Sequence, residues 1–129
     1  MIDFGHVKQM RDRLIRERGG LTLLALFERE DRRRIWDLIV AGGGLRDDSY
    51  DDYHVVGRAM QETFDPDEMM EVAKIVLLPA DYDPVVELVN RVQVNGEPVE
   101  VRNFEFFQFD IRRALIFHAE PVEVGAARA

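Results

Sequence analysis

Two apolar runs separated by a wholly charged segment constrain this chain more than any other feature. Strands are predicted over residues 21–28 and 34–41, because both runs are nearly continuous in apolar residues and the second is rich in β-branched and aromatic side chains. The five charged residues at 29–33 suit the exposed tip of a hairpin. A single helix over 21–40 is the alternative. We favour two strands because three glycines follow directly at 42–44.

The rest of the chain alternates between helical and strand patterns. Helices are predicted over 4–18, from Ser49 to about Phe64, briefly from Asp65, and over 84–93, and strands over 72–78, 99–106 and 113–119. No repeat or linker divides the 129 residues, so we expect a single domain over 1–129 with a frayed tail at about 122–129. The expected fold is α/β (or α+β), with a mixed sheet of about five strands and three or four helices in the order αββααβαββ.

Two connections stay open in the sequence. An Asn-Gly pair at 95–96 could end the preceding helix in a left-handed cap, or form the turn of a hairpin. We favour the helix because an Asp-Pro pair at 83–84 supplies its start. The strands over 72–78 and 99–106 would form a right-handed crossover if they were parallel neighbours.

The acidic residues at 47–52 are predicted to support a helix rather than to bind metal. Ser49 and Asp52 form a capping box, and a helix N-terminus attracts negative charge. Calcium loops need acids at alternating positions with a central glycine and a distal glutamate, and this segment lacks that pattern. The glycines at 42–44 match no phosphate-binding motif. We therefore predict no cofactor and no tightly bound divalent ion at Asp47, Asp48, Asp51 and Asp52.

The net charge of −8 at pH 7 is unevenly distributed. Residues 1–34 carry a net charge of +3, whereas residues 47–71 hold nine acidic residues and one basic residue. A chain of this sign repels nucleic acid unless a basic face is segregated, and we interpret the arginines of the first third as an ordinary surface. The run at 32–34 is then a solvated turn. We do not expect nucleic acid as a partner.

The absence of cysteine excludes disulfides, thiolate metal ligands and a cysteine nucleophile. The first residues lack the pattern of a signal peptide. The longest apolar run, Leu23 to Phe27, is far too short to cross a bilayer. We expect a soluble cytoplasmic protein with no membrane partner.

Asp37 is the most unusual single residue, because it interrupts an apolar strand beside Trp36. A buried ionised carboxylate is costly unless it is paired, so we expect Asp37 to face an arginine on another strand or to lie at a sheet edge. The arginines available for this pairing are Arg102, Arg112 and Arg113. If the chain has an active site, the candidate catalytic residues are Asp37, Glu100, Arg102 and His118.

Half of the eight phenylalanines cluster beside a predicted turn, at Phe104, Phe106, Phe107 and Phe109. If the chain is extended there, Phe106 and Phe107 face opposite sides of the sheet, so some rings should be exposed or covered by a second subunit. The basic first third and the acidic segment could also meet across a two-fold axis. We therefore predict a non-enzymatic interaction or assembly module that forms a homodimer through these phenylalanines. The alternative is a small enzyme or ligand-binding protein that uses Asp37 and His118.

Overall fold

The computed structural model describes residues 1–121, so the predicted tail at 122–129 lies outside the described residues. Within that range four helices and five strands follow the order αββααβαββ, which confirms the order expected from the sequence. The elements are α1 (Phe4–Arg18), β1 (Leu21–Arg29), β2 (Trp36–Gly42), α2 (Tyr50–Thr63), α3 (Pro66–Met70), β3 (Val72–Leu78), α4 (Asp83–Arg91), β4 (Val99–Phe106) and β5 (Phe109–Ala119).

The five strands form one mixed sheet, which confirms the predicted fold class, and their order is β3-β2-β1-β5-β4. The pair β2–β3 is parallel, and the other three pairs are antiparallel. The condition for a crossover from β3 to β4 is not met, because these two strands lie at opposite edges of the sheet and are not neighbours. The crossover instead joins β2 to β3 through α2 and α3.

The sheet separates two apolar cores, because successive side chains of β1 and β2 point to opposite faces. On the face that we call the α1 face, Leu24 and Leu26 pack with residues of α1 and α2. On the opposite face, which we call the α4 face, Leu23 and Ala25 pack with residues of α4. Every residue of β2 and all but the last residue of β1 are buried, which explains why these strands read as near-continuous apolar runs.

The helix boundaries follow local capping signals. The Ser49 side chain accepts a hydrogen bond from the Asp52 backbone N–H, and Asp65 and Glu68 form a reciprocal capping box at the start of α3. The helix predicted over 84–93 is present as α4, but it ends at Arg91. The Asn-Gly pair therefore does not cap this helix, and Gly96 turns the chain ahead of β4 with φ of 88°.

The opposite charges of α1 and α2 neutralise each other within the chain. Arg18 forms an ion pair with Asp52, and Arg13 forms one with Glu62. The backbone N–H of Arg46 and the Arg18 guanidinium together hold the pKa of Asp52 below its ordinary value. Two acidic residues of the segment 47–71 are thus paired within the chain, and the expectation that the basic and acidic segments meet across a two-fold axis stays a prediction.

A close backbone approach at Gly42 generates the first prediction. Gly42 has φ of 92°, and a Cβ there would lie 2.6 Å from the backbone nitrogen of Thr22. Gly42→Ala is expected to lower the free energy of unfolding by at least about 2 kcal/mol, because it adds a clash to a left-handed backbone. Gly44→Ala is the matched control, since φ there is 69° but the added Cβ meets nothing within 4 Å. Urea unfolding measures both variants, and equal losses would contradict the argument.

Candidate functional site

A groove opens on the α4 face of the sheet, beyond the part that α4 covers. Its lining includes three residues of the sheet, Phe27, Ile39 and Val76. Phe106, at the end of β4, and Tyr82, in the loop before α4, complete the lining. We call this feature the aromatic groove. It encloses about 110 Å³.

The aromatic groove exists because the β4–β5 hairpin bends across the α4 face. Phe106 packs edge-on against Phe27 with ring centroids 5.0 Å apart, and Phe107 reaches Tyr82 with centroids 5.7 Å apart. Because Tyr82 follows β3, this contact brings the tip of the β4–β5 hairpin toward the β3 edge of the sheet. Burial raises the pKa of Tyr82 above its ordinary value, in keeping with this packing.

The phenylalanines predicted for an interface are divided between the wall and the rim of this groove. Phe106 is buried and Phe104 is half-buried, whereas Phe107 and Phe109 are 54% and 44% exposed. The premise that Phe106 and Phe107 face opposite sides is wrong. Both contact Tyr82, because Phe107 is not extended but begins the turn between β4 and β5.

That turn is conformationally strained. Phe107 and Gln108 both have positive φ, at 44° and 67°. A two-residue hairpin turn of this kind favours Asn-Gly or Gly-Gly, because a side chain with a Cβ crowds the backbone there. The chain nevertheless places a phenylalanine and a glutamine at these positions, and the exposed Phe107 ring at the groove rim is the result.

Asp37 lies at one end of the aromatic groove and is 5% exposed. Its carboxylate accepts two hydrogen bonds from Arg32 Nη2, at 3.0 and 3.2 Å. Pairing with an arginine is thus confirmed, but the expected partners on β4 and β5 were wrong. The run at 32–34 is not simply a solvated turn either, since Arg32 folds back onto the strand that follows it.

Two further cations line the same end. Arg29 lies 4.3 Å from the centre of the Phe109 ring, and its charge is engaged by Asp31, whose pKa the Arg29 hydrogen bond lowers. Lys74 is the register neighbour of Asp37 on β3 and is exposed. Within residues 1–121, no carboxylate oxygen lies within 4.0 Å of Lys74 Nζ. Sequence reasoning missed Lys74 and Tyr82, because only the strand order brings them to the phenylalanines.

The other candidate catalytic residues do not join Asp37. A bulge in the β1–β5 pairing sets His118 opposite Leu24, which packs on the α1 face, and His118 Nε2 lies 2.8 Å from the Leu21 carbonyl oxygen. Glu100 and Arg102 are exposed on the edge strand β4, where they pair with each other. The four residues therefore form no common site.

A second titratable cluster links α1 to α3. The ligand atoms of His6, Asp65 and Glu68 lie within 4.8 Å of one another, and no other cluster of that kind, including the aspartates at 47–52, occurs in the part of the chain that the structure describes. Each group already has a structural partner, since His6 Nδ1 lies 2.6 Å from Glu68 Oε1, and Glu68 accepts the backbone N–H groups of Asp3 and Asp65. This hydrogen bond to Glu68 raises the pKa of His6. Burial opposes ionisation of Glu68, but the backbone hydrogen bonds and His6 outweigh it and lower its pKa.

None of the described helices is long and apolar enough to cross a membrane. Comparison of the chain with protein-family models, with curated proteins and with solved structures returned no match. The site must therefore be interpreted from its own geometry.

The Asp37 contact predicts a stability effect. Asp37→Asn is expected to lower the free energy of unfolding by about 1–3 kcal/mol, because it removes a buried charge-assisted hydrogen bond and leaves Arg32 without its partner. Asp31→Asn is the control, since it breaks an arginine pair whose carboxylate is exposed, and it should change stability little. Denaturant unfolding compares the two, and a larger loss in the control would refute this account.

The His6 contact predicts a pH effect of defined sign. Because the folded pKa is raised above the ordinary value of 6.5, the contribution of His6 is fully present below that value and is lost as pH rises through the folded pKa. The stability difference between the wild type and His6→Gln should therefore shrink as pH rises above about 6.5. Unfolding curves across this range test it, and a pH-independent difference for His6→Gln would count against the contact.

Proposed function

We propose that this chain is a non-enzymatic protein-interaction module that acts as a homodimer. The observation that carries the proposal is the position of the aromatic groove beside β3, an edge strand with almost no charge. A second copy of the chain that pairs with this edge would cover the exposed phenylalanine at the groove rim.

The size and lining of the groove favour a protein partner over a small molecule. Pockets for cofactors and drug-sized ligands enclose roughly 300–1,000 Å³, and the aromatic groove encloses about 110 Å³. A volume of that size suits one apolar side chain. Interfaces commonly anchor single aromatic or aliphatic side chains in such pockets.

The two edges of the sheet differ in how well they are protected. β4 alternates charged residues along its exposed edge, including Glu100, Arg102 and Glu105. β3 has the sequence Val-Ala-Lys-Ile-Val-Leu-Leu, in which Lys74 is the single charge, and among the strands of residues 1–121 it hydrogen-bonds to β2 alone. An apolar edge with unpaired backbone groups is a template for another strand. Two such edges in antiparallel pairing would oppose apolar residues to each other.

The hairpin tip supports the same contact. Phe107 lies near the β3 side of the molecule, since its ring touches Tyr82, and 54% of its surface is exposed. A second copy added at β3 would therefore meet this ring. A stable interface buries about 800 Å² per partner, with apolar residues at its centre.

We propose further that the module is cytoplasmic and has no nucleic-acid partner. The net charge of −8 supports the second point, because such a chain repels a polyanion. The dispersal of Asp37, Glu100, Arg102 and His118 supports a role other than catalysis at the predicted position.

Sedimentation equilibrium at micromolar concentration tests the proposal. The wild type is expected to form a dimer, and Phe107→Asp should weaken it by at least about 2 kcal/mol, or roughly thirtyfold in Kd, because it places a charge at the interface. Tyr50→Asp is the control, since it replaces another exposed aromatic residue, 77% exposed against 54% for Phe107, at the start of α2 on the α1 face of the sheet. A wild-type monomer at every concentration would overturn the homodimer.

The strained turn offers a second variant that separates folding from binding. Replacing Phe107 by Asn and Gln108 by Gly gives the turn the residues that its φ values favour, so the free energy of unfolding of the monomer should rise by about 1–3 kcal/mol. The same change removes the rim phenylalanine and should weaken the dimer. A variant that is more stable and yet fully dimeric would show that Phe107 has no part in the interface.

A further inference from the structure

A second cavity lies on the α1 face, at the end of the sheet where the β1–β2 hairpin turns. It encloses about 400 Å³, which falls within the range of small-molecule sites. We name it the Trp36 cavity. The residues that matter for its chemistry are Leu26, Glu28, Arg34, Trp36, Arg113 and Leu115.

The apolar part of the Trp36 cavity is built from the sheet. Trp36 is 7% exposed, and Leu26 and Leu115 are buried beside it. Phe4, at the start of α1, lines the same cavity and is 40% exposed. An indole face with aliphatic neighbours is a suitable surface for a flat or short apolar group.

The two carboxylates that line the cavity already have partners within the chain. Glu28 is 3% exposed, and its Oε2 accepts the backbone N–H of Arg34 at 2.7 Å. Arg112 Nη1 lies 3.8 Å from the same oxygen, and Arg113 Nε lies 3.4 Å from Oε1. Glu71, the other carboxylate on the lining, lies 2.7 Å from the amino group of Met1.

The arginine donors that line the cavity have fewer hydrogen-bond partners than its carboxylates. The Arg113 guanidinium lies 4.8 Å from the centre of the Trp36 ring, and its nearest carboxylates, on Glu28 and Glu100, are at 3.4 and 3.8 Å. Arg113 Nε is buried and makes no hydrogen bond to any residue in the range 1–121. Arg34 is exposed and has no ion pair within that range. Because Arg113 Nε is shielded from solvent beside Glu28, the Nη groups of Arg113 and the Arg34 side chain are the donors that a ligand can reach.

We propose that the Trp36 cavity binds a small organic carboxylate. The carboxylate would accept hydrogen bonds from the two Nη groups of Arg113, whose side chain is 35% exposed, with Arg34 at the rim, and the apolar body of the ligand would pack against Trp36 and Leu115. A planar guanidinium matches a carboxylate with two parallel N–H donors, which an ammonium group cannot do. This site lies on the opposite face from the aromatic groove and does not depend on the proposed dimer.

Trp36 is the only tryptophan of the chain, so its fluorescence reports on this cavity alone. Titration of the full chain with benzoate is expected to change the Trp36 emission saturably, and benzamide, its neutral analogue, should bind at least about tenfold more weakly. Inorganic phosphate should not displace benzoate. A response without saturation, equal binding of benzamide, or displacement by phosphate at similar concentration would overturn the proposal.

Substitution of single arginines separates the cavity from the overall charge. Arg113→Gln should weaken benzoate binding by at least about tenfold, whereas Arg91→Gln, at an exposed arginine of α4 on the opposite face of the sheet, should leave it unchanged. Arg34→Gln is a second test at an exposed position, and it should also weaken binding, which keeps the proposal testable if Arg113→Gln fails to fold. Equal effects of the substitutions at Arg91 and Arg113 would show that benzoate responds only to the overall charge.

Discussion

All side chains of β1 and β2 except that of Arg29 are buried. Other elements must therefore pack on both faces of the sheet, and the rest of the structure depends on which elements these are. The α1 face receives two long helices. Among the helices that the structure describes, only α4 packs on the α4 face, and its nine residues span about 14 Å, whereas the eleven residues of β5 span about 36 Å. The β4–β5 hairpin therefore bends over the part that α4 leaves open. The aromatic groove is the gap between these two partial covers.

Local signals in the sequence predicted the elements well, because their causes are local. The caps at Ser49 and Asp65 and the apolar runs of β1 and β2 act within a few residues, and the order αββααβαββ followed from them. Strand order is set by contacts between distant segments. For that reason the sequence could not reveal that β3 and β4 form opposite edges, nor that Lys74 and Tyr82 lie beside the phenylalanines.

The sequence indicated several residues of the candidate site, but it did not indicate which residues they contact. A charged residue inside an apolar strand correctly indicated that Asp37 needs a counter-charge, but its partner came from the adjoining turn rather than from another strand. His118 does not lie with Asp37, because a β-bulge in the β1–β5 pairing sets it opposite Leu24 on the α1 face. The phenylalanine cluster was noticed for its composition, while the geometry that makes it a groove depends on a turn with φ values that its residues disfavour.

The hairpin turn between β1 and β2 donates hydrogen bonds to a buried carboxylate on each face of the sheet. Phe27 pairs with Asp37, so Glu28 and Asp37 are close in the sheet but point to opposite faces. Each is a buried carboxylate that requires a donor from the same turn. Arg32 returns to Asp37 through its side chain, and Arg34 supplies its backbone N–H to Glu28 with φ of 70°. Arg34 also lies on the lining of the Trp36 cavity, and the same hairpin thereby positions a charged residue at the edge of each candidate site.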